Sequence, residues 1–402
     1  MPRRERVAIV IALHLTRSAG SSQKAILAAD SLKKMGLDVD IYASGADREL
    51  RERHNIVEIP RYKEVYAPGL MVNIVTEIKL FFRYFKELFL KLVRRKYKII
   101  QIHSVTKAAP QLAALLAAKL LGSKIVYYYH DLLPETFATM RHMEPKGLAY
   151  AFVRIFEKLM CENSDVIIVI SDAMKMILMK RIKNRKIFVV YAPVNIDEFS
   201  NCEQYRDYLK DVYGLSRDIL SLIYLGRLEP KIRGLEDLAK AFMEVIESGV
   251  KAYLVLVGDG PLRSDLEKFF EGHKARKYVK ILGHKKKSEA VKILCSADIA
   301  ILSAPKTFEI HTIMPTKILE YMVTGKVIIA PNALQPRILL GKYAVFYDMG
   351  DYRHLASCIV YAIKNFDSIK KYAHKLRQRV EQISIEKMIA RIQKIYRKFL
   401  LN

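Results

Sequence analysis

The sequence predicts an α/β protein of two Rossmann-like domains whose parallel sheets face each other across a cleft. Three observations carry that prediction. Short aliphatic runs alternate with longer amphipathic ones, the short runs are almost continuously apolar, and the alternation breaks once, around 195–215, before restarting. Near-continuous aliphatic strands separated by helical patterns imply parallel sheets covered on both faces. The chain has 402 residues, 51% of them hydrophobic, so two domains is the simple count and each can bury a core.

The elements follow in order. The apolar run 7–13 reads as a buried first strand. The basic residues before it resemble the start of a signal peptide, but His14, Thr16, Arg17 and Ser18 interrupt the run early and no small-residue cleavage site follows. A helical pattern over 21–35 ends at Gly36. Further strands fit 39–43, 99–103, 124–129, 166–170 and 187–191. The polar stretch 195–215 reads as a connector. Strands then fit 221–225, 253–257, 279–282, 299–302, 327–330 and 344–347. The domains are therefore 1–197, a linker 198–215, a second domain 216–383, and a basic helix 384–402. That helix either packs back on the first domain or is an ordinary surface helix. Ligands of such sheets bind at the carboxyl ends of the strands.

The formal charge is +26, from 68 Lys and Arg against 42 Asp and Glu. An excess of this size speaks of anionic partners rather than of fold. Nucleic acid, an acidic membrane surface and a phosphorylated substrate are the three classes. No nucleic-acid motif is present, so nucleic acid is not the expected partner. Cys161, Cys202, Cys295 and Cys358 form no CxxC pair and have no histidines at ligand spacing. They read as small buried hydrophobes of a reducing compartment. No apolar run is long enough to span a bilayer.

Four segments of the second half carry the chemistry. In Tyr224-Leu225-Gly226-Arg227-Leu228-Glu229-Pro230-Lys231-Ile232-Arg233-Gly234 a strand ends at glycine and cations follow. Arg227 and Arg233 offer charge-assisted bonds to a diphosphate, or else they are solvated loop cations. Gly258-Asp259-Gly260-Pro261 suits a tight turn beneath a ligand, or a plain turn. Met314-Pro315-Thr316-Lys317-Ile318-Leu319-Glu320-Tyr321-Met322 starts a helix after proline, and the N–H groups near Thr316 and Lys317 attract phosphate. Glu320, about one turn on, can accept two ribose hydroxyls, or it is a solvated helix glutamate. Ala297-Asp298 precedes a strand, and Asp298 reads as a turn or capping residue.

Together these segments resemble the family-four retaining glycosyltransferases of the GT-B fold. The resemblance covers most of the chain and is strongest from about 224 to 331. It implies that Arg227 and Arg233 hold the donor diphosphate, and Lys231 is the cation a shifted loop would bring there. It implies that Gly226, Gly258 and Gly260 form the turn beneath the donor, that Thr316 and Lys317 face the β-phosphate, and that Glu320 binds the ribose. The family often has an acidic residue eight positions before Glu320. Here that position is Thr312, with Glu309 and His311 close by.

In the first half, Thr16-Arg17-Ser18-Ala19-Gly20-Ser21 opens a helix, and Ser18, Gly20 and Ser21 form a candidate phosphate or acceptor loop. A plain capped helix fits equally well. His103 and His130 end predicted strands. The string His130-Asp131-Leu132-Leu133-Pro134-Glu135 resembles the family segment carrying a histidine near the sugar, which implies a catalytic His130; Asp131 orients it or caps a turn, and His103 is a further candidate from its strand end. Ser171 reads as a helix N-cap. Over 73–98, Ile74, Ile78, Phe81, Phe82, Phe85, Leu88, Phe89 and Leu92 share one helical face, with Lys79, Arg83, Lys86 and Arg94 mainly on the other. That pattern fits a helix lying on an anionic membrane, or a core helix with a basic back.

The expected activity is transfer of a hexose from a nucleotide-sugar donor to a hydroxyl of a lipid-linked or membrane-associated glycan, with retention. The nucleotide-sugar is a substrate; no cofactor and no metal are expected, because no Asp-x-Asp string would hold Mg²⁺. The expected place is the cytoplasmic face of a membrane. The alternatives are a nucleotide-sugar 2-epimerase of the same architecture, a nucleic-acid-binding protein and an inactive scaffold.

Overall fold

The computed structural model describes residues 5–16, 20–60, 74–104, 108–141, 143–230 and 233–401. The chain divides into two compact units, Met1–Ala192 with Glu386–Asn402, and Pro193–Ile385. Each is built on one parallel sheet.

The first sheet has seven strands. In spatial order they are Asn55–Glu58, Asp38–Ala43, Arg6–Val10, Ile99–His103, Lys124–Tyr129, Val166–Val169 and Ile187–Val189, all parallel. The order of the chain reverses between Arg6–Val10 and Ile99–His103, the place where doubly wound sheets open a crevice. Ile99–His103 and Val166–Val169 are buried along their whole length, as strands covered on both faces must be. The final helix, Ile385–Phe399, belongs to this unit. Its Gln393 donates to the Ser31 carbonyl at 3.1 Å, and its Tyr396 hydroxyl bonds Gln101 inside the sheet.

The second sheet has six parallel strands: Val279–Gly283, Tyr253–Val257, Ser221–Leu225, Ile299–Ile301, Val327–Pro331 and Val345–Tyr347. Its switch point lies between Ser221–Leu225 and Ile299–Ile301. One face is sealed by the helices Leu235–Glu247 and Tyr352–Lys364, whose Phe242, Val245, Leu355 and Ile359 join Leu222, Leu254 and Ile299 in one core. Leu235–Glu247 buries a stripe at helical spacing and carries Glu236 and Asp237 in its first turn, where acids suit the helix dipole.

Three expectations differ from the structure. The first strand ends at Val10 rather than at 13, because Ala12 takes a left-handed φ of 54° and turns the chain out of the sheet. The sequence predicts no strand at 55–58, yet Asn55–Glu58 pairs at the sheet edge, where only partial burial is required and the apolar signal is weak. The predicted linker is not a loose connector. Asp197–Phe199, Cys202–Tyr205 and Tyr208–Tyr213 are helical turns packed on the helix Lys287–Ser296 of the second unit.

That packing also corrects the cysteine expectation. Cys202 and Cys295 form a disulfide, with Cα atoms 5.0 Å apart and 93 residues between them in sequence. Spacing alone cannot reveal such a pairing. Cys161 and Cys358 are buried thiols, as small hydrophobes. Among the described residues no helix is long and apolar enough to cross a membrane.

Candidate functional site

In the second unit the predicted motifs converge at the carboxyl end of the central strands. An open cavity of about 570 Å³ is lined by Gly226, Arg227, Gly258, Gly260, His284 and Lys285, among others. Two strand-end turns interlock beneath it. Gly226 N–H donates to Val257 O at 2.8 Å, and Leu228 N–H donates to Asp259 O at 3.0 Å. Gly258 has φ 144°, and a Cβ there would lie 1.8 Å from the Gly226 carbonyl oxygen. Only glycine permits that approach.

The helix Thr316–Val323 enters this place with its N-terminus, after Pro315, so its first N–H groups have no partner within the helix. Lys317 reaches back under Gly226. A Cβ on Gly226 would sit 2.1 Å from Lys317 Nζ. That ammonium donates to Tyr224 Oη at 3.1 Å and lies 4.3 Å from the Tyr224 ring centroid. Burial, with the Arg233 guanidinium nearby, pushes its pKa down from 10.5 to about 7. Tyr321, on the same helix, accepts from Leu225 N–H at 3.2 Å and fixes the helix to the strand end.

The predicted cations fall into one cluster with a carboxylate that the sequence did not single out. Glu229 forms an ion pair with Arg227, Oε1 to Nε 2.7 Å, and lies 3.8 Å from Arg233 Nε. Arg227 is largely exposed, while Glu229 is mostly buried. The Arg233 carbonyl accepts from Ser303 Oγ at 2.7 Å, which ties the loop to the strand across the switch point. Lys231 lies outside the described residues.

Glu320 is held by Lys287, which also lies 3.5 Å from Glu198. Burial opposes the charge of Lys287, but the two carboxylates outweigh it and raise its pKa. Thr312, at the position where the family often has an acid, is buried and donates to the Glu309 carbonyl at 3.2 Å. Asp298 is structural: Ser221 N–H and Oγ both donate to it at 2.8 Å. His284 and Lys285 were not predicted. They follow the strand Val279–Gly283, so the strand-end rule could have found them.

The first unit gathers its histidines differently. His103 Nδ1 and His130 Nε2 are 2.8 Å apart, His130 Nδ1 is 3.4 Å from Lys24 Nζ, and His103 Nε2 is 2.6 Å from Gln101 Nε2. The sequence places His130 in a crevice, but in the structure its imidazole is only 2% exposed and both its nitrogens are engaged. Burial, then Lys24, push His103 down to about 3, and His130 is also well below 6.5. Both rings are neutral at physiological pH. Lys24 sits on the helix Gly20–Lys33, one turn past Gly20 and Ser21, and burial lowers it to about 8 against the pull of Asp131. Ser18 lies outside the described residues. Ser171 caps its helix by accepting from Met174 N–H at 3.1 Å. Among the described residues no three His, Cys, Asp or Glu side chains cluster as metal ligands would.

Comparisons with known proteins match each half of the chain to a glycosyltransferase family. The model of Glycosyltransferase Family 4 matches residues 20–198, and that of Glycosyl transferases group 1 matches residues 220–365. An uncharacterized glycosyltransferase of Methanocaldococcus jannaschii is 23% identical over 301 residues, 73% of this chain and 72% of that protein. Alpha-monoglucosyldiacylglycerol synthase of Acholeplasma laidlawii is 35% identical over 81 residues, 20% of each chain. The crystal structure of Anabaena HepE in complex with UDP has the same fold, with a TM-score of 0.72 at 14% identity over 97% of this chain and 98% of that one.

Proposed function

We propose, from the match of its two halves to glycosyltransferase family models, that the chain is a family-four-like glycosyltransferase that moves a hexose from a nucleoside diphosphate donor, UDP first, to a hydroxyl of a lipid-linked acceptor. The observation that carries the donor side is the convergence of Lys317, Arg233, Arg227 and a helix N-terminus on the switch point of the second sheet. Breaking the bond between the anomeric carbon and the β-phosphate oxygen leaves the electron pair on the diphosphate. The acceptor oxygen bonds the anomeric carbon, on the same face in a retaining reaction, and releases its proton. Preorganised cations and amides stabilise the charge of the leaving group and take the role a metal plays elsewhere. Glu229 pairs with the Arg227 guanidinium and faces that of Arg233, and a diphosphate would compete with it for them. Glu320 would exchange Lys287 for the ribose hydroxyls.

The nucleotide is supported by the Anabaena protein, which was solved with UDP. The acceptor class is supported by the name of the Acholeplasma protein, an alpha-monoglucosyldiacylglycerol synthase. A peripheral site on an anionic membrane suits both the +26 charge and the helix Ile74–Arg95 with its exposed Phe82. A role for His130 at the transferred sugar rests on the family resemblance, with Asp131 to orient it; His103 is a candidate from its place at a strand end.

The test is Arg233→Ala with UDP-hexoses and a lipid acceptor extract. Loss of one preorganised donor to the leaving group should cut kcat by about 10²- to 10³-fold. Unchanged turnover would remove the diphosphate from this loop.

A further inference from the structure

The helix Ile74–Arg95 uses much of its apolar face inside the protein. Tyr84, Leu88 and Leu92 are buried, and Phe81, Phe85 and Phe89 stack along it at centroid distances of 6.4 and 5.8 Å. A different helix of the same unit leaves its apolar face uncovered. Leu148–Glu162 exposes Leu148 (82%), Phe152 (69%), Ile155 (65%) and Leu159 (42%). These positions are four, three and four residues apart, which puts them in one stripe along roughly three turns. Its other side is anchored: Glu157 is buried with Arg154 and Arg181, and Met160 and Cys161 are in the core.

The stripe continues into a groove of about 300 Å³ whose walls are Phe82, Phe85, Leu112, Leu116 and Leu159, with Lys119 at the rim. So three helices, Ile74–Arg95, Ala108–Leu121 and Leu148–Glu162, share one exposed apolar surface. Contiguous apolar surface of this kind marks an interaction site. The charge around it selects the partner. Arg83, Lys86, Lys119 and Lys158 are exposed, Glu87 is paired with Arg83 at 3.2 Å, and Ala108–Leu121 contains no acid.

We propose that Leu148–Glu162 is an interfacial helix that lies in an anionic phospholipid bilayer, with the groove and its lysines completing the contact. A stripe of large apolar residues flanked by cations is the pattern of helices that rest in the headgroup boundary without crossing it. This deepens the membrane part of the function above and moves its main anchor from Ile74–Arg95 to a helix the sequence did not single out.

The experiment uses the full chain and vesicles of phosphatidylglycerol and phosphatidylcholine in equal parts, with pure phosphatidylcholine beside them. The wild type should co-sediment with the anionic vesicles, at least tenfold less with the neutral ones, and less as salt rises. The double variant Phe152→Glu/Ile155→Glu should bind the anionic vesicles at least tenfold more weakly, with thermal midpoint and UDP binding unchanged. Tyr361→Glu, at an exposed aromatic on the second unit, should bind like the wild type. Wild type that ignores the vesicles, or a double variant that binds them unchanged, overturns the proposal. So does a wild-type dimer that the double variant dissociates while vesicle binding stays the same, since the stripe would then join two copies. UDP binding is read separately: its failure with vesicle binding intact strikes the donor reading and leaves this one standing.

Discussion

Lys317→Met should stabilise the ligand-free protein and weaken its hold on a nucleoside diphosphate, two effects of opposite sign from one side chain. Burial first, and Arg233 second, lower the Lys317 pKa from 10.5 to about 7. At 1.36 kcal/mol per unit the charged form carries a penalty of roughly 4–5 kcal/mol. Methionine removes the charge but also the bond to Tyr224 Oη, worth about 1 kcal/mol, so the net gain is about 3–4 kcal/mol. Below pH 7 the folded and unfolded chains both hold the proton, and the folded one bears the whole penalty. Between pH 7 and 10.5 the unfolded chain keeps a proton that the folded chain has lost, so wild-type stability rises with pH and the advantage of methionine fades. Above 10.5 none remains. On the binding side, one charge-assisted contact to the diphosphate is lost, about 2–3 kcal/mol or 30- to 150-fold in Kd. Urea titrations at pH 6 and pH 10, with calorimetric titration of UDP, measure both. A variant that is less stable than wild type at pH 6 and binds UDP equally well would refute the placement of a buried, strained ammonium at the donor site.

Three further outcomes are expected. Gly258→Ala puts a Cβ 1.8 Å from the Gly226 carbonyl, so the two strand-end turns must separate; urea titration should show a loss of about 2–4 kcal/mol, and UDP binding should fall with it. Glu320→Gln should raise the KM for the donor about tenfold with little change in kcat, and its effect should not add to that of a 2′-deoxy donor, because both remove the same contact; full additivity would separate Glu320 from the ribose. His103 stays neutral to about pH 3, so below pH 6.5 the unfolded chain binds a proton the folded one refuses and stability falls with pH. His103→Gln should therefore flatten the acid limb of stability between pH 6.5 and 3 by up to about 1.4 kcal/mol per unit, and an unchanged limb would mean that His103 takes up its proton while folded.

The sequence by itself determined the two parallel sheets, because strands buried on both faces are nearly continuously apolar, as in Val166–Val169 and Tyr253–Val257. It also marked the turn and the helix start at the carboxyl end of the second sheet, because glycine at Gly258 and a proline-led helix at Thr316 are local backbone requirements that leave a local signature. What a side chain meets across the chain leaves none. Lys287 on Glu320, Lys24 on His130, Tyr396 on Gln101 and the Cys202–Cys295 bond all join residues whose pairing depends on how the elements pack. The two amphipathic helices show the same division. Periodicity marks the apolar stripe of Ile74–Arg95, but only packing decides that Leu88 and Leu92 are covered while Phe152 and Ile155 of another helix face outward. Burial is a property of the assembled fold, and a stripe reads the same in sequence whether protein or lipid lies against it.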